Sequence, residues 1–199
     1  MNARTQELPN PWHDLTARLV FHARTLNHAA CYLVTSCGPR EGKTTVCRNV
    51  AAVAAATGLK TGVLEIHSPE REGGLSLSKR ESPAPFQQVA GLGYAVWTLA
   101  DHFGALPRHS QEPRLWLTDV DLFLIDAPPV GRFMQQHLAP LTDGVILVVD
   151  SRRRRLVEVN RAAKLAVGAG GTLLGAILNR HRSPLPRWLD WWGDVSLSN

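Results

Sequence analysis

Apolar residues in this chain are gathered in short continuous runs with polar segments between them. Five runs fit strands: ACYLVTS at 30–36, TGVLEIHS at 61–68, TDVDLFLIDAPP at 118–129, DGVILVVD at 143–150 and GTLLGAILN at 171–179. Helical patterns occur between them, in an Ala-rich stretch from Thr44 to Thr57 that closes at Gly58 and at about 152–168. Continuous apolar strands alternating with helices are typical of parallel strands buried on both faces. The pattern therefore predicts an α/β fold with a mostly parallel central sheet and helices on both faces.

The remaining segments have less regular patterns. Near the start, apolar residues recur at three- and four-residue intervals, which predicts an amphipathic helix that covers the sheet: Trp12, Leu15, Leu19, Ala23 and Leu26. Region 72–114 is interpreted as an insertion, with a candidate strand at 93–99 and a proline-broken connection at 105–114. We expect a flexible arm at 1–11, one folded domain at 12–182 and a tail at 183–199.

Composition excludes several classes of protein. With 199 residues, 44% hydrophobic and 20% charged, the chain has the size and composition of one globular domain. No apolar run reaches the roughly 18 residues that span a bilayer, and residues 1–12 lack the apolar core of a signal peptide, so we expect a cytoplasmic protein. Cys31, Cys37 and Cys47 lack metal-ligand spacing and are expected to be reduced thiols.

Basic residues outnumber acidic ones by 22 to 17, which gives a net charge of +5. The densest basic run, Arg152–Arg155, lies at the start of a predicted helix, where such a run is usually a solvated face. Because no aromatic residues are interleaved with these charges, we expect no nucleic acid partner.

The segment VTSCGPREGKTTV (34–46) carries the most specific chemical signal. A predicted strand ends at Ser36, and Gly42, Lys43 and Thr44 open a predicted helix. This is the arrangement of a phosphate-binding loop, in which backbone N–H groups face the phosphates, the lysine reaches the β and γ oxygens, and the hydroxyl holds Mg²⁺. A glycine at position 42 lets the backbone approach a phosphate closely.

One position departs from the usual GxxxxGK[ST] spacing, but a residue elsewhere in the chain supports the assignment of a phosphate-binding loop. Cys37 stands where the first glycine is expected, and Gly38 follows it. Such loops also need a carboxylate at the end of a neighbouring strand to orient Mg²⁺. Asp126 fits this role, because four apolar residues run into it at the end of a predicted buried strand. The alternative for Asp126 is a helix cap or turn cap.

Four segments resemble the cytoplasmic domain of the bacterial tyrosine kinases that govern capsule and exopolysaccharide assembly: VTSCGPREGKTTV (34–46), LFLIDAPPV (122–130), DGVILVVD (143–150) and GAILNR (175–180). The resemblance covers about residues 30–181 and implies a P-loop NTPase related to the MinD/ParA positioning ATPases. In MinD/ParA proteins the second loop residue is a lysine that reaches across a dimer, whereas this chain has Gly38. Pro39, Glu41 and the DAPPV sequence are also more similar to the kinases.

The motif and the resemblance together define an expected nucleotide site within 12–182. We expect ATP or ADP with Mg²⁺, with Lys43 and Asp126 in catalytic roles and Thr44 and Asp126 as metal ligands. The expected nucleotide-binding residues are Gly38, Pro39, Arg40, Glu41, Gly42, Lys43, Thr44, Thr45, Asn179 and Arg180. The resemblance implies that Asn179 and Arg180 flank the adenine.

The chain lacks the second acidic motif of the kinases, which has the form apolar-apolar-Asp-x-Asp-x-Arg. The matching stretch is VLEIHSPER (63–71), where His67 and Pro69 replace the two aspartates. A neutral imidazole cannot supply the negative charge that draws Mg²⁺, and proline has no side-chain donor or acceptor. Glu65 is two residues before His67, so it should lie one layer back from the loop edge on the same face. Glu70 is the remaining acid that could compensate.

Two further kinase features are missing. The kinases end in a cluster of tyrosines, while this chain has only Tyr32 and Tyr94. The first helix also lacks the Glu-x-x-Arg-x-x-Arg pattern used for ring assembly, because Arg18 and Arg24 are out of register.

The C-terminal tail has three tryptophans at helical spacing, Trp188, Trp191 and Trp192. They suit either packing on the domain or docking to a partner or membrane surface, since tryptophan is enriched at protein hot spots and at the lipid interface.

These features favour a catalytically degenerate, nucleotide-binding relative of the polysaccharide tyrosine kinases. We expect it to regulate or scaffold exopolysaccharide or capsule biosynthesis with a membrane polysaccharide co-polymerase or export protein, at the inner face of the membrane, and to be able to form homo-oligomers. The alternatives are an active tyrosine autokinase or ATPase that uses Glu70 or a residue of 72–114, and a MinD/ParA-type positioning ATPase, which Gly38 disfavours.

Overall fold

The computed structural model describes residues 11–67, 87–88, 94–100, 120–131 and 138–180. These ranges contain three α-helices, α1 (Pro11–Ala23), α2 (Lys43–Ala56) and α3 (Leu156–Gly168), and a 3-10 turn at Ala139–Leu141. They also contain seven strands: β1 (Ala30–Ser36), β2 (Thr61–His67), β3 (Gln87–Gln88), β4 (Ala95–Ala100), β5 (Leu122–Asp126), β6 (Gly144–Asp150) and β7 (Leu173–Asn179). Within the same ranges, no helix has the length and apolar character needed to cross a bilayer.

The strands form one sheet in the order β3-β4-β2-β5-β1-β6-β7. All neighbouring strands are parallel except β3, which pairs antiparallel with β4. The central strands β1, β5 and β6 are buried along their whole length, which explains why their sequences are continuous apolar runs. The predicted α/β class with a mostly parallel sheet is confirmed.

Helices cover both faces of the sheet. On one face, α1 and α2 pack over alternate strand residues, including Tyr32, Val34 and Leu124. On the other face, α3 contributes Ala162 and Ala166 to clusters with the opposite set of strand residues. The predicted apolar stripe of the first helix lies in the α1/α2 cluster: Trp12, Leu15, Leu19, Ala23 and Leu26. This arrangement confirms that the first helix helps to cover the sheet.

The register brings the carboxyl ends of the strands to one edge of the sheet. Asp126 at the end of β5 pairs with Val34 of β1, and Asp150 at the end of β6 pairs with Asn179 at the end of β7. In open parallel sheets, ligands bind at this edge, where helices begin. The loop between β1 and α2 therefore lies beside acidic and amide side chains from three other strands.

Most element boundaries agree with the sequence prediction to within a few residues. The largest difference among the described strands is β5, which covers 122–126 instead of 118–129. Pro128 and Pro129 follow it directly and cannot donate to a strand ladder. The short strand β3 was not predicted, because two consecutive glutamines have no hydrophobic alternation. The connection at 105–114, residues 1–10 of the arm and the Trp-rich tail lie outside the described residues.

Candidate nucleotide-binding site

The predicted phosphate-binding loop joins the end of β1 to the start of α2. The hydroxyl of Ser36, the last residue of β1, donates to the carbonyl oxygen of Gly38 at 2.7 Å. The backbone is left-handed at Arg40 (φ 61°) and at Gly42 (φ 95°), and α2 begins at Lys43. The residue before the helix, Gly42, has no side chain that could cap it. A helix start of this kind attracts anions such as phosphate.

Thr44 and Asp126 are brought together although they are far apart in sequence. The Oγ1 hydroxyl of Thr44 donates to Oδ2 of Asp126 at 2.5 Å. Asp126 is buried at the end of β5, and the N–H of the next residue, Ala127, donates to the carbonyl oxygen of Val34 in β1 at 2.9 Å. The strand ends thus fix this carboxylate against the first turn of α2.

The donor set of this pair fits Mg²⁺. A hydroxyl and a carboxylate are hard oxygen ligands of the kind that Mg²⁺ takes beside nucleotide phosphates. Thr44 and Asp126 would hold the ion, directly or through its water shell, between the loop and β5. The Asp126 carboxylate accepts this hydrogen bond from a side-chain hydroxyl on another element, and the cap alternative is not tested by it.

A second carboxylate lies level with Asp126 on the neighbouring strand. Glu65 of β2 is the register partner of Asp126, so the two side chains share one face of the sheet. Arg48, one turn after Thr44 on α2, donates to both carboxylate oxygens of Glu65, through Nε at 2.7 Å and through Nη2 at 3.0 Å. Because β2 continues beyond the end of β5, Glu65 is nearer the site than its sequence position suggested. The charge of Glu65, however, is paired with the guanidinium of Arg48.

Asn179 binds the loop backbone. Its Nδ2 amide donates to the carbonyl oxygen of Glu41 at 2.8 Å, and a Cβ atom added at Gly42 would overlap this amide. Gly42 is therefore required for two local reasons, its positive φ and its contact with Asn179, independently of any phosphate.

Arg180 joins the loop to the end of β6. Its Nη1 donates to Oδ2 of Asp150 at 2.8 Å and to the carbonyl oxygen of Arg40 at 3.2 Å. Asp150 is fully buried, and the hydrogen bond from Arg180 holds the pKa of this carboxyl below its usual value. Asn179 and Arg180, which were expected beside the adenine, thus act on the loop in this structure.

A buried ion pair lies beneath the loop. Glu41 is 1% exposed, and its Oε1 accepts from Nε of Arg154, which also donates through Nη1 to Oε1 of Glu158 at 3.0 Å. Arg154 precedes α3 and belongs to the run interpreted as a solvated face. That interpretation holds for its three exposed neighbours and is wrong for Arg154.

The expected loop residues differ in exposure. Pro39, Arg40 and Thr45 are exposed, and Lys43 and Thr44 are half-buried at the start of α2. Sequence reasoning did not assign the supporting residues Arg48, Asp150 and Arg154. It considered Glu65 but placed it further from the site than the register does. Four consecutive arginines do not show in the sequence which of them turns inward. Asp150 could have been found, because it is an acid at the end of an apolar strand, the same pattern that identified Asp126.

The cysteines are free thiols, as predicted. Cys31 and Cys47 are buried, and Cys37 in the loop is half-buried. Burial raises the pKa of Cys37 to about 11 and that of Cys47 well above its usual value. Because the thiolate is the reactive form, neither residue is suited to act as a nucleophile near neutral pH.

The residues that depart from the kinase pattern are described in part. His67 is the last residue of β2, while Pro69 and Glu70 lie outside the described residues, so compensation by Glu70 stays a prediction. Tyr32 and Tyr94, the two tyrosines of this sequence, are both buried, with exposed fractions of 0% and 3%.

The sheet order, the loop before α2 and the carboxylate at the end of β5 define a P-loop NTPase-like fold. Among solved structures, bacterial tyrosine kinase domains have a similar fold. The kinase domain of Escherichia coli tyrosine kinase ETK is similar with a TM-score of 0.66 at 21% identity, covering 94% of this chain and 86% of that one. The chimerical protein CapA2B2 is similar with a TM-score of 0.63 at 20% identity, covering 90% and 88%.

One curated protein is similar in sequence over part of the chain. A stretch of 65 residues, 32% of this chain, is 35% identical to the putative tyrosine-protein kinase CapB of Staphylococcus aureus and corresponds to 28% of that protein. No family model matches the chain. A nucleotide-binding protein from Archaeoglobus fulgidus, solved in complex with ADP, is similar with a TM-score of 0.52 at 19% identity, covering 87% of this chain and 74% of that one.

Proposed function

We propose that this chain binds ATP or ADP with Mg²⁺ at the loop 37–44 and is a catalytically degenerate, tyrosine kinase-like protein. The observation that carries the proposal is the hydrogen bond between the Thr44 hydroxyl and the buried Asp126 carboxylate at the start of α2. Lys43 opens the same helix and would neutralise phosphate charge. The ADP complex of a protein with a similar fold supports this choice of ligand.

Three observations support degeneracy. His67 ends β2, where the resemblance implies an aspartate. The nearest described acid on that strand, Glu65, accepts two hydrogen bonds from Arg48, so its charge is already compensated. Both tyrosines of the sequence are buried, which leaves neither hydroxyl accessible to a neighbouring copy in the folded state. Since phosphoryl transfer depends on positioning and on charge around the metal, this site should bind a nucleotide better than it turns one over.

The cellular role that we propose is regulation or scaffolding of exopolysaccharide or capsule biosynthesis and export. The partner would be a membrane polysaccharide co-polymerase or export protein, with this chain at the cytoplasmic face of the membrane. Similarity to CapB in sequence and to ETK and CapA2B2 in fold supports this pathway. Co-purification of the tagged chain with membrane proteins of the polysaccharide pathway, compared with an unrelated tagged control, tests it, and recovery of none would contradict it.

Nucleotide binding is tested by calorimetric titration of ADP and ATP with and without Mg²⁺. We expect Mg²⁺ to strengthen the binding of both, because Thr44 and Asp126 are positioned as its ligands. Failure of the folded protein to bind either nucleotide would contradict the proposal.

An active tyrosine kinase or ATPase is the second candidate. The observation that favours it is the position of Glu65, level with Asp126 on the adjacent strand, where it could serve as a second acid if Arg48 moved away. Steady ATP hydrolysis that is lost in Glu65→Gln and Lys43→Ala would favour this candidate over the degenerate one. A MinD/ParA-type ATPase ranks third, because Gly38 replaces the lysine of that class.

A further inference from the structure

Arg154 lies under the phosphate-binding loop although it belongs to a different part of the chain. Its Nε donates to the Glu41 carboxylate inside the loop, and its Nη1 donates to Glu158 in the first turn of α3 at 3.0 Å. The side chain is 22% exposed, whereas Arg153 beside it is 65% exposed. The guanidinium therefore connects the start of α3 to the middle of the loop.

Gly38 is the position that makes room for this guanidinium. A Cβ atom at position 38 would overlap Nη2 of Arg154 and would lie 2.8 Å from its Cζ, closer than real Cβ contacts. Any other residue at this position would displace Arg154 or the loop backbone. The sequence CG at 37–38 is thus matched to an arginine supplied by a distant segment.

The carboxylate of Glu41 needs this partner. It is almost completely buried, and besides Arg154 it accepts a hydrogen bond from the N–H of Asp150, at 3.4 Å from Oε2. A buried charge that loses its counter-ion is strongly unfavourable, so without Arg154 the Glu41 side chain would be driven to turn outward. Such a turn would disturb the backbone between the two left-handed residues Arg40 and Gly42.

We propose that Arg154 is a positioning residue that holds the phosphate-binding loop in its nucleotide-binding conformation through Glu41. This inference rests on the proposed nucleotide-binding function. Arg154 acts through Glu41 and not on the phosphates, because its described donors, Nε and Nη1, point to carboxylates.

The first test measures the affinity for ADP with Mg²⁺ in Arg154→Ala, Arg154→Lys and the double variant Glu41→Gln/Arg154→Ala. Arg154→Ala should weaken binding about tenfold or more, because it leaves a buried carboxylate unpaired. The double variant should recover most of the affinity, since it removes the unpaired charge together with its partner. Arg154→Lys keeps the charge without the planar guanidinium, and its affinity for ADP should lie between those of wild type and Arg154→Ala.

The matched control is Arg161→Ala, which changes an exposed arginine on α3 and should bind ADP as wild type does.

The second test uses Gly38→Ala as a steric probe that does not remove a charge. In the wild-type background it should weaken ADP binding, because the new methyl group meets the guanidinium. In the Arg154→Ala background the same change should weaken binding less than it does in wild type, because the guanidinium that it meets is gone. Urea unfolding of each variant separates loss of affinity from loss of the fold.

Each result of these two tests leads to a different conclusion about Arg154. Wild-type affinity in Arg154→Ala, with loss of binding in Lys43→Ala, would overturn this inference and leave the proposed function intact. Equal weakening in Arg154→Ala and in the double variant would show that Arg154 does not act through Glu41 and would also overturn it. No ADP binding by the folded wild-type protein would overturn the inference together with the proposed function. Recovery in the double variant and non-additivity with Gly38→Ala would establish the positioning role.

Discussion

Lys43 is the side chain whose removal should most directly weaken nucleotide binding. It opens α2 at the end of the loop, where a cation can meet the β and γ phosphates. Lys43→Ala should lose a charge-assisted contact of about 1.5–3 kcal/mol, which corresponds to a roughly ten- to hundredfold weaker Kd. Titration of ADP into Lys43→Ala and into Lys164→Ala, an exposed lysine on α3, measures the effect. Similar affinity in the two variants would contradict the role of Lys43.

Asp126 should determine how much Mg²⁺ contributes to the affinity for ADP. Asp126→Asn keeps the size of the side chain and an acceptor for the Thr44 hydroxyl but removes the negative charge. We therefore expect Mg²⁺ to strengthen ADP binding in the wild type and to have much less effect in Asp126→Asn. Paired titrations with Mg²⁺ and with EDTA measure this difference. An unchanged Mg²⁺ dependence would show that the ion is held elsewhere.

At the residue scale, the sequence was sufficient to predict side chains that occupy a fixed place in a local pattern. Asp126 follows an apolar run, and Gly42, Lys43 and Thr44 follow a strand and precede a helix. The structure places Asp126 against Thr44, and Lys43 precedes Thr44 at the start of α2. Arg154 and Arg48 could not be assigned, because their roles depend on the positions of carboxylates on other elements, Glu41 and Glu65.

At the element scale, the strand ends at the carboxyl edge are linked by a pH-sensitive contact between Asp150 and Arg180. The hydrogen bond from Arg180, aided by the N–H of Arg152, lowers the pKa of Asp150 in the folded state. A carboxyl with a lowered folded-state pKa contributes stability above its unfolded-state pKa and loses that stability as pH falls through the folded-state value.

Asp150→Asn should therefore flatten the acid side of the stability profile. The free energy of unfolding of the variant should lie below that of wild type near pH 7, and the two should approach each other as the pH falls below the unfolded-state pKa of about 4. Urea unfolding at several pH values measures both curves, and Asp14→Asn, at an exposed α1 residue paired with Arg18, is the control. A constant difference between the two proteins across this range would contradict the assigned ion pair.

Hydrophobic periodicity predicted the strands because the residues of the apolar runs are the ones that the fold buries. The strand at 30–36 was predicted with the observed bounds, since all seven residues are buried. For β4, the predicted 93–99 compares with 95–100. The order of strands in the sheet is not local information, and it is this order that makes Glu65 level with Asp126 and brings Asn179 to the loop.

At the scale of the whole molecule, the proposed nucleotide site combines the loop before α2 with a histidine, His67, where the resemblance implies an aspartate. One edge of the sheet supplies the loop, Asp126 and the supporting network of Asn179 and Arg180. The same edge has His67 at the end of β2. We therefore expect the bound nucleotide to act as a ligand that stabilises one form of the protein by mass action, without being consumed.

Whether bound ATP keeps its γ-phosphate can be measured on nucleotide recovered from the protein. The wild-type protein would be incubated with Mg²⁺ and ATP labelled on the γ-phosphate, separated from free nucleotide, and denatured so that the released nucleotide and the protein can be analysed. We expect ATP with its γ-phosphate intact and no label on the protein. Recovery of ADP with label transferred to the protein or released as phosphate, in amounts that disappear in Lys43→Ala, would contradict it.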